Sequence, residues 1–231
     1  QRYDIVGAYG STVCRTPHLD RFAMEGVRFS NAYSHCPLCT PTRASIYSGR
    51  AIHNHGLTRN IEPGTPNGGS IGTPEIPSLA QILEPAGYRS AFLGKWHAGS
   101  TLPEECGFDA LSAEGYGNIR DAASYREYLD ERGLEVPTVT PVGVGYPHRL
   151  LLAGIMSGPV EASVPYFLAE KTIDQLRRFA GGDEPFFLAL NFWGPHAPYL
   201  PSEPFASMYD PADIEPWGNF HDEYGGKPPI Y

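Results

Sequence analysis

Apolar side chains recur along this chain in two alternating rhythms, one with helical and one with strand spacing. Thr16-Pro17-His18-Leu19-Asp20-Arg21-Phe22-Ala23 reads as a capped helix start, with Pro17 in the first turn and Leu19, Phe22 and Ala23 on one face; Gly26 ends it. Positions 27–33 alternate like a short strand that delivers the chain to Cys39. Positions 61–75 are dense in Gly, Pro, Thr and Asn and predict an irregular surface loop. Ser78 caps a predicted helix with Leu79, Ile82 and Leu83 inward, and Gly87 stops it. A strand over 88–93 then ends at Gly94-Lys95-Trp96-His97. A polar helix is expected over 121–132, and the Pro- and Gly-rich stretch 136–147 reads as a second surface excursion. Positions 165–180 predict a helix burying Phe167, Leu168, Ile173, Leu176 and Phe179, with Gly181-Gly182 beyond it. The apolar run 185–192 predicts a central strand buried on both faces, with His196 just past its end. Helices alternating with short apolar strands imply an α/β sandwich, a mainly parallel central sheet flanked by helices, in one domain. Ligands of such sheets bind beyond the carboxyl ends of strands, where Cys39, Lys95 and His196 are all expected.

Composition narrows the partners. With 231 residues and 41% hydrophobic content the chain can bury one sizeable core, and no run approaches the roughly 18 to 20 apolar residues of a membrane helix. Seventeen Lys and Arg against 26 Asp and Glu give a net charge of −9, which argues against nucleic acid as a partner. A small anion remains compatible with that balance where Arg43, Lys95, His97 and His196 converge. Four cysteines, Cys14, Cys36, Cys39 and Cys106, are too few for a disulfide scaffold of this length. The chain opens on Gln1 with no basic, apolar leader, so no compartment is read from it.

The most informative stretch is Cys39-Thr40-Pro41-Thr42-Arg43-Ala44-Ser45-Ile46-Tyr47-Ser48-Gly49. A proline two residues after the cysteine suits the first turn of a helix, which places Cys39 at or just before a helix N-terminus, where anions are stabilised. Arg43 follows one helical turn later, beside whatever Cys39 becomes, and Gly49 closes the helix. This run resembles the sulfatase signature, Cys-x-Pro-x-Arg with a glycine ten positions after the cysteine. Gly87-Tyr88-Arg89-Ser90-Ala91-Phe92-Leu93-Gly94-Lys95-Trp96-His97 is similar to the family's second signature, and Gly194-Pro195-His196-Ala197-Pro198-Tyr199 to its Pro-His-x-Pro stretch. The likeness extends from about Tyr3 to Tyr199.

The resemblance implies the alkaline-phosphatase-like α/β fold. Residues 1–231 would be the larger, N-terminal part of a sulfatase catalytic domain, without the family's smaller C-terminal subdomain. It further implies that a maturation enzyme converts Cys39 to formylglycine. One hydroxyl of the aldehyde hydrate attacks sulfur and expels the alcohol; the other loses its proton and drives out sulfate. Arg43 would hold the hydrated aldehyde, Lys95 a sulfate oxygen, and His97 would accept the hydroxyl proton. His196 would contact the bridging oxygen or protonate the leaving alcohol. One Ca2+ is implied, with Cys39 as formylglycine among its ligands. Gln1-Arg2-Tyr3-Asp4 resembles the segment just after the family's first aspartate pair, so no carboxylate ligand is carried over to this chain. Asp210, Asp213 and Asp222 read as solvated surface.

The implied substrate is a small anionic sulfate ester, aryl or carbohydrate, with pocket walls from 61–75 and 136–147. A phosphonate or phosphate monoester hydrolase of the same fold is the nearest alternative. The alternative of another class is a non-catalytic module in which Cys36 and Cys39 hold zinc or a disulfide, with His53-Asn54-His55 as a poorly spaced second pair. His53, His55, His148 and His221 carry no catalytic expectation.

Overall fold

The computed structural model describes residues 2–62, 64–66, 68–111, 120, 122–145, 150–221 and 226. They fall into two units, residues 1–30 with 204–231 and residues 31–203. The first unit carries α1, Pro17–Glu25, and short 3-10 turns at Tyr3–Ile5, Gly7–Tyr9 and Pro211–Asp213. Thr16 precedes α1 as expected, but its hydroxyl accepts from the Gly7 N–H at 2.8 Å and donates to Asp20 at 2.9 Å instead of capping the helix. Leu19 and Phe22 are exposed.

The second unit is built on β1, Arg89–Gly94, β2, Asp109–Leu111, and β5, Phe186–Asn191, all parallel and ordered β2-β1-β5. Helices cover both faces. On one side α2, Cys39–Ser48, α3, Ile52–His55, and α4, Leu79–Leu83, enclose a core of Tyr47, Leu57, Ile71, Phe92, Trp96 and Phe108. On the other, α5, Ala123–Glu131, and α6, Val164–Ala180, enclose Tyr125, Tyr128, Leu129, Phe167 and Leu168. β5 feeds both layers by the two-residue period of a strand, Phe187 and Ala189 towards the first core and Leu190 towards the second. This is the expected sandwich around a mainly parallel sheet.

Several local expectations need correction. The central strand is β1, buried from Ser90 to Gly94. β5 is an edge of the described sheet and only partly buried, because β1 receives helices on both faces and a strand on each side. Residues 27–33 form no strand; no neighbouring backbone pairs with them among the described residues, and Val27, Phe29 and Tyr33 are exposed. In α4 the inward residue is Ala80 while Ile82 is exposed. The helix is a single turn, and its phase is set by the Ser78/Gln81 capping box and by the Ser78 hydroxyl donating to the Cys106 carbonyl at 2.5 Å.

The buried face of α6 is Phe167, Leu168, Thr172 and Phe179; Ile173 and Leu176 lie off it, 40% and 39% exposed. Thr172 enters the core because its hydroxyl donates to the Leu168 carbonyl at 2.6 Å. Residues 61–75 are irregular but not merely superficial, since Ile61 and Ile71 are buried. The stretch 136–147 contains β3, Val139–Gly145, antiparallel to β4, Leu150–Met156. Pro141 is tolerated there because the register shifts between Pro141 and Gly143. Positions 121, 146 and 147 of those two predicted segments lie outside the described residues, as do His148 and Asp222.

The β3–β4 hairpin supports the segment that follows His196. Tyr199 N–H donates to the Leu152 carbonyl at 2.8 Å, and the N–H groups of Gly154 and Met156 donate to the carbonyls of Tyr199 and Pro201 at 2.9 Å. Gly94 is the other positioning element. Its φ of 90° belongs to the left-handed region, and a Cβ there would sit 2.1 Å from the Asn191 carbonyl oxygen. Gly94→Ala therefore costs upwards of about 3 kcal/mol in urea unfolding, from positive-φ strain plus a backbone clash. Gly87→Ala, at φ 80° in open space, is the matched control and costs only the strain, about 1 to 2 kcal/mol. Equal costs at the two positions would refute the close approach of β1 to β5.

Candidate active site

Cys39 is the first residue of α2, half-buried, with Pro41 in the first turn as its spacing requires. Pro41 lacks an N–H, and the Thr40 N–H is taken by the Asn60 side chain at 3.2 Å, which accounts for two positions of the helix start without a capping hydroxyl at Leu38. Gly49 ends the helix at φ 67°, its N–H donating to the Ser45 carbonyl at 2.9 Å. Thr42 donates to the Cys36 carbonyl, which folds the preceding loop onto the helix.

Lys95 stands at the carboxyl end of β1, almost wholly buried, with Nζ 4.0 Å from Cys39 Sγ and 4.3 Å from the centre of the Trp193 ring. Burial lowers its pKa; Cys39 opposes that shift, Arg43 adds to it, and Glu62 opposes it. Arg43, one turn along α2, donates through Nη1 to the carbonyls of Lys95 at 2.7 Å and Trp96 at 3.3 Å. Desolvation lowers its pKa too, against the influence of Tyr47 and Cys39, without threatening the guanidinium charge.

His97 is fully buried and is the one non-glycine at positive φ, 50°, among the described residues. Burial first, then Lys95, Arg43 and His196, push its imidazole down to about 4, so it is neutral at pH 7. Its Nε2 lies 3.4 Å from Glu62 Oε1. His196 is exposed on the loop after β5, its ring 5.2 Å from that of Trp193 and Nδ1 2.6 Å from the Ala197 carbonyl. Trp193 thus lies against both Lys95 and His196.

The structure brings Cys39, Arg43, Lys95 and His97 together and links His196 to them through Trp193. Four contributors were absent from the sequence expectations: Tyr47, Glu62, Asn191 and Trp193. Asn191 donates through Nδ2 to the Tyr47 hydroxyl at 2.7 Å and to the Lys95 carbonyl at 3.2 Å. Its place at the end of a parallel strand was a usable signal. Tyr47 lies four residues after Arg43 on the same helix face. Nothing local marks Glu62.

The remaining expectations resolve simply. All four cysteines are free thiols. His55 is buried, with Nδ1 accepting from the Leu57 N–H at 3.1 Å; that fixes Nε2–H as donor to the Ser45 hydroxyl at 2.9 Å, a structural pair. Asp210 accepts from the Ala212 N–H at 2.9 Å, capping a turn. Among the described residues no three His, Cys, Asp or Glu side chains gather as ion ligands, so those residues do not by themselves fit a calcium site.

A sulfatase family model matches residues 1–226. The chain belongs to the sulfatase family. N-acetylgalactosamine-6-sulfatase of Homo sapiens is 32% identical over 209 residues, 87% of this chain and 38% of that protein. Arylsulfatase of Clostridium perfringens is 29% identical over 96% of this chain and 48% of that protein. The phosphonate monoester hydrolase of Silicibacter pomeroyi superposes with a TM-score of 0.68 at 26% identity, covering 92% of this chain and 42% of the other. This sulfatase chain therefore spans less than half the length of these relatives, and its fold is the alkaline-phosphatase-like α/β fold.

The depressed His97 pKa has a stability consequence. Between about 4 and its ordinary value of 6.5 the unfolded imidazole binds a proton that the folded one excludes, so His97 opposes folding increasingly as pH falls. Its contribution to stability is intact above pH 6.5 and declines on acidification with a slope approaching about 1.4 kcal/mol per pH unit. Comparing wild type with His97→Gln in urea titrations from pH 4 to 7 isolates this slope. Parallel pH profiles for the two would contradict it.

Proposed function

We propose that this chain is the nucleophile-bearing part of a sulfuric ester hydrolase that cleaves a sulfate monoester through formylglycine formed from Cys39 by a maturation enzyme. The observation that carries the reading is the convergence at the first residue of α2. Lys95 Nζ lies 4.0 Å from Sγ, and Arg43 is clamped to the Lys95 and Trp96 carbonyls. A buried Lys95 and a half-buried Arg43 beside a helix N-terminus form a preorganised environment for an anion, and their effect is strengthened by partial exclusion of water. Sulfate fits that environment in charge. The relatives' names point to aryl and carbohydrate sulfates as the substrate class.

Formylglycine, when formed, supplies a geminal diol whose second hydroxyl allows sulfate to leave without attack by water. The side chains around it supply the rest. Lys95 and Arg43 balance the sulfate charge. His97, neutral at pH 7, accepts a proton from the hydroxyl at position 39. His196, on an exposed loop, meets the bridging oxygen of the ester and gives a proton to the departing alcohol. Calcium is the family's ion by resemblance; no step is assigned to it, since the described residues gather no carboxylate set around Cys39.

The structural match to a phosphonate monoester hydrolase favours a second reading, hydrolysis of a phosphonate or phosphate ester by the same residues. Rates of the full-length, matured protein on an aryl sulfate and an aryl phosphonate separate the two. The sulfate is expected to be the better substrate, and a large preference for the phosphonate installs the second reading. Cys39→Ala is expected to lower kcat on the preferred ester by at least about 10^4-fold. Peptide mass spectrometry after expression with a competent maturation system should find sulfur replaced by oxygen at position 39. An unmodified Cys39 in active enzyme would defeat both readings.

A further inference from the structure

The segment that carries Glu62 is fastened to the site from both sides. The Ile61 N–H donates to the Thr40 hydroxyl at 3.1 Å, that hydroxyl faces the Ile61 carbonyl at 3.4 Å, and Asn60 accepts from the Thr40 N–H, all next to Cys39. The Glu62 carbonyl accepts from the Thr65 N–H at 3.1 Å and its hydroxyl at 2.6 Å, and the Gly64 N–H donates to the Ser100 carbonyl at 2.7 Å, three residues past His97. Between these anchors Glu62 presents Oε1 to His97 Nε2 at 3.4 Å, while its Oε2 is inaccessible to solvent and lacks a hydrogen-bond partner among the described residues.

Among the described residues, Lys95 after β1, Arg43 on α2 and His196 after β5 also act on His97; each disfavours a positive imidazole. Glu62 is the one carboxylate in contact with the ring among the described residues.

We infer that Glu62 is a positioning residue for His97, holding the neutral imidazole as its Nε2–H tautomer so that Nδ1 is the nitrogen that accepts a proton. The inference rests on the reading of His97 as proton acceptor. A neutral imidazole has one donor and one acceptor nitrogen, and a carboxylate opposite Nε2 requires the donor there. When Nδ1 takes the proton of the hydroxyl at position 39, the oxygen keeps its electron pair and the ring becomes an imidazolium. The Nε2–H···Oε1 contact then becomes charge-assisted and shortens, which opposes the repulsion from Lys95 and Arg43. At 3.4 Å the two atoms are in contact without a formed hydrogen bond, which on this inference forms as charge develops.

The test uses full-length, matured protein with 15N-labelled histidine, the His97 signals being assigned by their loss in His97→Gln. Nitrogen shifts are expected to report a single Nε2–H tautomer in wild type, the same tautomer in Glu62→Gln, whose amide oxygen still accepts, and a mixture in Glu62→Ala. On the preferred ester, kcat of Glu62→Ala should fall about 10- to 100-fold with KM within about 3-fold, the size expected of a lost orienting partner. In a His97→Ala background, Glu62→Ala should cost nothing further. An unchanged tautomer in Glu62→Ala, or penalties that multiply fully in the double variant, overturns the inference. Wild-type activity in His97→Ala overturns instead the catalytic reading of His97, and the nitrogen shifts then decide the Glu62 contact alone.

Discussion

The carbonyl oxygen of Lys95 is the joint on which the site depends. It accepts Nη1–H of Arg43 from α2 and Nδ2–H of Asn191 from the end of β5, while Lys95 itself directly follows β1. The Lys95 N–H donates in return to the Asn191 carbonyl at 2.9 Å. One atom with two lone pairs thus binds three elements distant in sequence. The geometry permits no slack at the neighbouring positions. Gly94 must lie at positive φ against the Asn191 carbonyl, and His97 is held at φ 50°, a strain that persists only where surrounding contacts over-determine it.

That joint also explains how two cations stand together in a poorly solvated place. A buried guanidinium is costly unless its donors are satisfied, and the Lys95 and Trp96 carbonyls satisfy part of the Arg43 fork. The Lys95 ammonium lies against the Trp193 ring face, an attraction that strengthens on desolvation. The result is local positive charge in a chain of net charge −9. A small anion beside Cys39 meets fixed donors, whereas an extended polyanion would meet the surrounding negative field.

The fold was legible in the sequence where a local rule had no competitor. Cys39 at a helix start, Gly49 as its stop, the Ser78 cap and the parallel strand ending at Lys95 all follow from short-range chemistry. The errors have tertiary causes. Residues 27–33 alternate like a strand, but alternation produces a ladder only beside another backbone. Ile173 and Leu176 are apolar, yet the sheet selects the face of α6 one notch away, where Thr172 satisfies its own hydroxyl. The Pro- and Gly-rich stretch 136–147 looked like loop because the register shift that admits Pro141 is visible only once β4 is beside it. Within the site, the residues of the three signatures could be named in advance. Glu62 could not, because its approach to His97 is produced by Thr40 and Ser100, partners on either side of it in space and not in sequence.

The two histidines illustrate why burial matters more than residue type in dividing the work. His97 is enclosed, strained and neutral, and its proposed partner, the side chain at position 39, never leaves the protein. A base that serves a fixed partner gains from rigidity and from exclusion of water, even at the cost of a depressed pKa, because neutrality is the state that can accept a proton. His196 is exposed and sits on a loop held by β4 on one side and by Trp193 on the other. A group that must meet an incoming ester and release its alcohol needs access, and a supported loop provides access without loss of aim. The proposed assignment of the enzyme-bound proton to His97 and of the leaving-group proton to His196 is therefore the one for which each environment is suited; exchanging them would ask the enclosed ring to follow a departing molecule.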